Sequence, residues 1–165
     1  MVDKYFVTVL TVTIGLAIFY HHFERPNLKT PDKLLYIEGQ VDQYSFQRKP
    51  GYRATLKQYY IWLDNYPCTF QIKADFLSFF NQTQFENEVK KGDKLKLTIP
   101  KEIKDQLSER GTHIFILSAS SNSTNYLSLA DTIPKENNNF DIYAGLFFIA
   151  GGIVYYILKS RAIIK

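Results

Sequence analysis

Three histidines, one cysteine and sixteen carboxylates are the side chains from which this 165-residue chain could build a catalytic or metal site. His21 and His22 are adjacent, and neighbours on a helix point about 100° apart, so the two cannot hold one ion from a regular helix. His113 opens a strand and would have to serve any Ser-His-Asp triad, yet the Gly-x-Ser-x-Gly elbow is missing. No phosphate-binding Gly-x-x-x-x-Gly-Lys loop or dinucleotide fingerprint occurs. Glu86 and Glu88, two apart on a predicted helix, diverge; Asp64 and Asp75 lie at turns and read as caps. Cys68 follows Pro67 at a strand start and reads as a small half-buried residue rather than a nucleophile. The pattern predicts a chain that is not an enzyme and that carries neither cofactor nor metal.

Charge narrows the partners. The net charge is +4 and the isoelectric point about 9.0, but Lys159, Arg161 and Lys165 supply three of those charges at the C-terminus. From Glu24 to Asp141 there are sixteen basic and fifteen acidic side chains. A domain so balanced lacks the electrostatic footprint of a nucleic-acid binder.

The mean hydropathy of −0.20 averages two greasy ends with a polar middle. Ile142 to Leu158 is seventeen residues without a charge. At 1.5 Å per residue it covers roughly 25 Å, the short end of what crosses a hydrocarbon core of ~30 Å. Phe140 and the 162–164 segment extend its apolar reach, and Tyr143, Tyr155 and Tyr156 suit the headgroup level. Tyr5 to Tyr20 is a second uncharged run, of sixteen residues. Thr8, Thr11 and Thr13 do not forbid spanning, because a threonine hydroxyl can bond a preceding helical carbonyl. No small-x-small cleavage site follows, so the run reads as an anchor rather than a signal peptide.

Basic residues near membrane helices favour the cytoplasm. The tail of Lys159, Arg161 and Lys165 therefore draws the C-terminus inside, although Arg25, Lys29 and Lys33 pull the other way at the first helix. Two spans put both termini on one side, which predicts cytoplasmic termini and an extracytoplasmic domain.

Between the spans the periodicity predicts strands over 34–47, 54–65, 68–74, 94–99 and 112–120. Gly39 marks a bulge or bend in the first, and Pro50-Gly51 a type II turn. Residues 75–91 read as a helix with Phe76, Phe79, Phe80 and Val89 on one side, and 101–111 as a short amphipathic helix. The expected fold is an α+β membrane protein. Two transmembrane helices flank a small, mostly antiparallel β-domain, an OB- or SH3-like barrel or a curled sheet, with two short helices. The segments are an anchor at 1–23, a connector at 24–33, the domain at 34–130, a polar connector at 131–140, a second span at 141–159 and a basic tail at 160–165.

The strand pair "YYIWLDN" and "CTFQI", the segment "VKKGDKLKLTIP" and the polar return into a terminal apolar helix resemble small membrane proteins without assigned chemistry. Those proteins carry a β-barrel-like domain between transmembrane helices. The resemblance implies the architecture and brings no catalytic residues with it.

Two features remain without an occupant. Tyr59, Tyr60 and Trp62 cannot share one face of a strand, so one aromatic set faces away from the other and needs cover. In the second span Ala144, Gly145, Ala150, Gly151 and Gly152 are small enough to admit another helix. Together they point to a non-enzymatic two-pass protein that binds another membrane protein as an accessory or assembly subunit. An immunity-type protein guarding the envelope against a toxin, and a membrane enzyme or transport component of unfamiliar design, are the alternatives.

Overall fold

A computed structural model describes residues 4–24, 28, 30–50, 55–122 and 124–161. Its contacts divide into two units, residues 1–26 with 138–165 and residues 27–137.

The first unit is a pair of 21-residue helices, α1 (Lys4–Glu24) and α4 (Phe140–Ser160), each long and apolar enough to cross a membrane. They run antiparallel. Tyr5 lies against Tyr156 with ring centroids 5.8 Å apart, and at the other end His22 Nδ1 lies 4.0 Å from Asp141 Oδ2. Thr11 donates its hydroxyl hydrogen bond to the Val7 carbonyl, 2.5 Å away, so its polar atom needs no water. The helices approach closely because glycines line the seam. A Cβ on Gly15 would sit 2.7 Å from Ile149 Cγ1 and 2.9 Å from the Gly145 carbonyl oxygen.

The small residues of α4 divide between that seam and the outer surface. Gly145 and Gly152, seven apart and buried, meet Phe19, Val12 and Thr8 of the chain's own first helix rather than a foreign one. Ala150 and Gly151 point away from that seam and are exposed, and Ala144 is half-buried. Of the basic tail, Lys159 closes the last turn of α4 and the Arg161 N–H donates to the Ile157 carbonyl; Lys165 lies outside the described residues.

The second unit is a mixed seven-stranded sheet with two short helices. Its strands are β1 (Leu34–Pro50), β2 (Thr55–Leu63), β3 (Thr69–Ile72), β4 (Lys94–Pro100), β5 (His113–Ile116), β6 (Ser118–Ser120) and β7 (Asn125–Leu127). They pair in the order β5-β3-β2-β1-β4-β6-β7, antiparallel except for β3 with β5. The predicted fifth strand at 112–120 is two strands, separated by Leu117, whose N–H donates to the Thr98 carbonyl at 2.7 Å. The turn expected at Pro50-Gly51 falls at Gly51 outside the described residues.

β1 pairs with β4 through Leu34–Gln40 and with β2 from Val41 onward, with a register shift between Val41 and Gln43. Gly39 sits at this handover, and a Cβ there would lie 2.2 Å from Asn65 Oδ1 and 3.0 Å from Leu63 Cβ. The bend expected at Gly39 is thus a close approach of the β2–β3 turn to β1, with the bulge two residues on.

The helix expected over 75–91 is shorter. Residues 74–76 form a 3-10 turn, and α2 covers only Gln82–Glu88, capped by Asn81, whose Oδ1 accepts from the Gln84 N–H at 3.2 Å. The break has a physical cause: the Asn81 N–H donates to the Tyr126 carbonyl of β7 at 2.9 Å instead of to a preceding turn. Phe76, Phe80, Phe85 and Val89 are buried, whereas Phe79 is exposed. Phe85, absent from the expected apolar side, is the hub. Its ring lies 5.0–5.5 Å from those of Tyr44, Phe46, Phe80 and Tyr126. The 101–111 segment is a 3-10 run, Lys101–Ser108, with Ile103 and Leu107 against the core. Beyond β7 the chain adds α3 (Leu129–Glu136), which the sequence reading assigned to a connector. The Thr132 hydroxyl of α3 donates to the Leu117 carbonyl at 2.7 Å, in a buried position.

Three substitutions test this packing. Gly145→Leu should destabilise the purified protein by about 1–3 kcal/mol or more, since the Phe19 ring and Gly15 backbone leave no room. Gly151→Leu, with nothing within 4 Å of its Cβ, should leave the melting temperature unchanged. Phe85→Ala should cost about 3–5 kcal/mol in the β-domain by denaturant titration.

Candidate binding face

The register of β2 resolves the aromatic question. Tyr59 and Ile61 pair with Ile72 and Phe70 and face the core, where Tyr59 is 3% exposed. Its ring packs on Phe46 at 4.8 Å and its hydroxyl donates to Gln82 Oε1. Tyr59 therefore leaves the candidate surface, and Tyr60 and Trp62 define it on the opposite side of the strand.

Cross-strand pairing extends that side into a continuous face. Tyr60 is flanked by Ser45 of β1 and Gln71 of β3, and Gln71 by Phe115 of β5. Trp62 stands opposite Gln43, Gln58 opposite Gln47, and Thr69 opposite His113. The Tyr60 ring lies 5.8 Å from Trp62 and 5.4 Å from His113. Phe115 is 41% exposed, with the Lys73 ammonium 5.5 Å above its ring and that ammonium ion-paired to Glu136. The result is four rings among glutamine amides: flat apolar surfaces for stacking, with amide donors and acceptors beside them. Sequence alternation put Tyr60 and Trp62 there; His113 and Phe115 joined them through the parallel β3–β5 pairing, for which no local signal exists.

A second concavity, about 280 Å³, lies between α2 and the β6–β7 turn. The buried Tyr126 hydroxyl donates to Glu88 Oε2 at 3.0 Å and lies 3.1 Å from Ser121 Oγ. Hydrogen bonds from Gln84, and then from Thr124 and Tyr126, hold the Glu88 carboxyl below the usual range, while burial pushes the Tyr126 hydroxyl up. The Tyr126–Glu88 bond ties β7 to α2, and Gln84 braces Glu88 from within the helix. A third, about 330 Å³, is walled by Glu38, Asp64, Asn65 and Lys94 beside Gly39. There Asp64 Oδ1 accepts from the Gln40 N–H and Asn65 Nδ2 donates to the Glu38 carbonyl, both at 3.1 Å. Among the described residues no three His, Cys, Asp or Glu side chains gather as metal ligands would. Cys68 is fully buried rather than half-buried, and desolvation raises its thiol pKa, which disfavours the reactive thiolate.

No family model matches the chain, and no curated protein resembles it closely enough in sequence to lend it a function.

The Glu88 network makes a pH prediction. A carboxyl whose folded pKa lies below its ordinary value of 4.5 adds stability above that pH and loses it as acid carries the pH through the lowered value. Glu88→Gln should remove this contribution, so that wild type and variant converge in melting temperature once acid carries the pH below the lowered value and separate by a small margin at neutral pH.

Proposed function

We propose that this chain is a two-pass membrane protein whose β-domain binds another protein, serving as an accessory or assembly subunit of a membrane complex. The observation that carries the reading is the outer sheet face of Tyr60, Trp62, His113 and Phe115. The inner sides of the same strands alternate cleanly into the core, so this face is not needed to fold the domain. Aromatic rings beside amides are the composition of protein contact surfaces, where Trp and Tyr supply most of the affinity.

The membrane part of the reading rests on the helix pair. Phe6 and Val9 of α1 and Phe147 and Leu146 of α4 are more than half exposed, an outward apolar surface that water disfavours and lipid accepts. Lys159, Arg161 and Lys165 favour cytoplasmic termini, which places the β-domain outside the cytoplasm. On the same reading the β-domain is an OB-like barrel. β5, paired to β3, and β6, paired to β4, are joined by Leu117 alone, and a long β1 shared between β2 and β4 is what a curled, closing sheet needs.

Purification on a C-terminal tag in a mild detergent, with mass spectrometry of co-purifying chains, tests the proposal. A stoichiometric partner is expected, and Tyr60→Ser with Trp62→Ser should deplete it at least tenfold while the melting temperature stays within a few degrees. A partner retained by that variant, or a clean chain without one in wild type, overturns the proposal.

A further inference from the structure

The outer side of the sheet changes character at the β1 bulge. Before it, outward positions carry charge. Glu38 stands directly opposite Lys96, and Gln40 opposite Lys94. The Lys96 and Lys94 ammonium groups lie 4.0 and 3.8 Å from the Glu38 carboxylate, and all three side chains are about half exposed or more. That is an ordinary solvated surface, where such pairs contribute little.

Beyond the bulge the charges stop. Over 43–47 of β1, 58–62 of β2, 69–71 of β3 and 113–115 of β5, every position registered with the Tyr60 side is a ring, an amide or a hydroxyl residue. None is Asp, Glu, Lys or Arg, in a chain whose residues are 22% charged. The charges that follow along β2 and β3 are engaged elsewhere. Lys73, after Gln71, is ion-paired to Glu136 with its ammonium over the Phe115 ring. Asp64, after Trp62, accepts through Oδ1 from the Gln40 N–H.

A surface that buries against this face meets no counter-charge. A carboxylate or ammonium there would lose its water and gain no ion pair, a strong penalty. Glutamine behaves in the opposite way, since each amide carries donors and an acceptor and so satisfies neutral polar groups of either kind. The rings add flat apolar contact. We propose that the partner surface docking on this face is itself uncharged, apolar with amide or hydroxyl groups, and that no ion pair crosses the contact. This rests on the protein-contact reading above and adds the chemistry of the occupant.

The test uses the full chain with its co-purified partner in mild detergent at pH 8, where histidine is ordinarily uncharged. Sodium chloride raised from 0.1 to 1 M shortens the screening length from about 10 to about 3 Å. Retention of the partner should change less than about twofold, and sodium sulfate should not weaken it. Gln71 is half-buried between Tyr60 and Phe115 in the register. Gln71→Glu and Gln71→Lys should therefore each deplete the partner about tenfold, whichever sign is introduced. Melting temperatures within a few degrees of wild type establish that both variants fold; Gln58→Glu and Gln58→Lys take their place if they do not. Loss of the partner in salt, or depletion by one charge but not its opposite, overturns the proposal and leaves the protein-contact reading standing. Absence of a partner, or a partner that both charged variants retain, overturns the two together.

Discussion

Everything in the β-domain depends on β1 serving two partners in succession. A strand that gives its first seven residues to β4 and its last ten to β2 must change direction between them. The change is possible because no side chain occupies position 39, where Asn65 and Leu63 press on the backbone. Beyond that turn, the Tyr44 and Phe46 rings of β1 meet the Phe85 ring of α2. β3 and β5 then inherit their positions from β2, and β6 and β7 theirs from β4. A single glycine thus decides whether two halves of a sheet face one core or lie flat and face none.

The same geometry separates what was legible in the sequence from what was not. Strand alternation at Leu95, Leu97 and Ile99 and at Phe70 and Ile72 is local, and these residues are all buried. The expected long helix failed because its end is fixed by a bond to Tyr126, more than forty residues later, which no window of neighbouring residues can contain. The split of the last predicted strand has a like cause, since Leu117 is the point where the chain passes from β3's side to β4's. The binding face divides in the same way. Tyr60 and Trp62 announce themselves by parity with Tyr59, whereas His113 and Phe115 arrive only through parallel pairing.

The helix pair repeats the lesson. Small residues in α4 are visible at once, but a glycine has no preferred customer. Only the opposing Gly15, Thr8, Val12 and Phe19 reveal that the seam is internal, and Gly151, one residue from Gly152, faces elsewhere. Composition identified a packing surface without identifying what packs on it.

That seam also has an order in time. Gly15 and Gly145 touch across 129 intervening residues, so α1 leaves the ribosome long before the helix it fits exists. The β-domain lies wholly between the two and is synthesised while α1 waits with its notch empty. The seam can therefore close only after the β-domain between its two helices has been made. A domain that misfolds before α4 is made leaves α1 with its Gly15 notch unfilled.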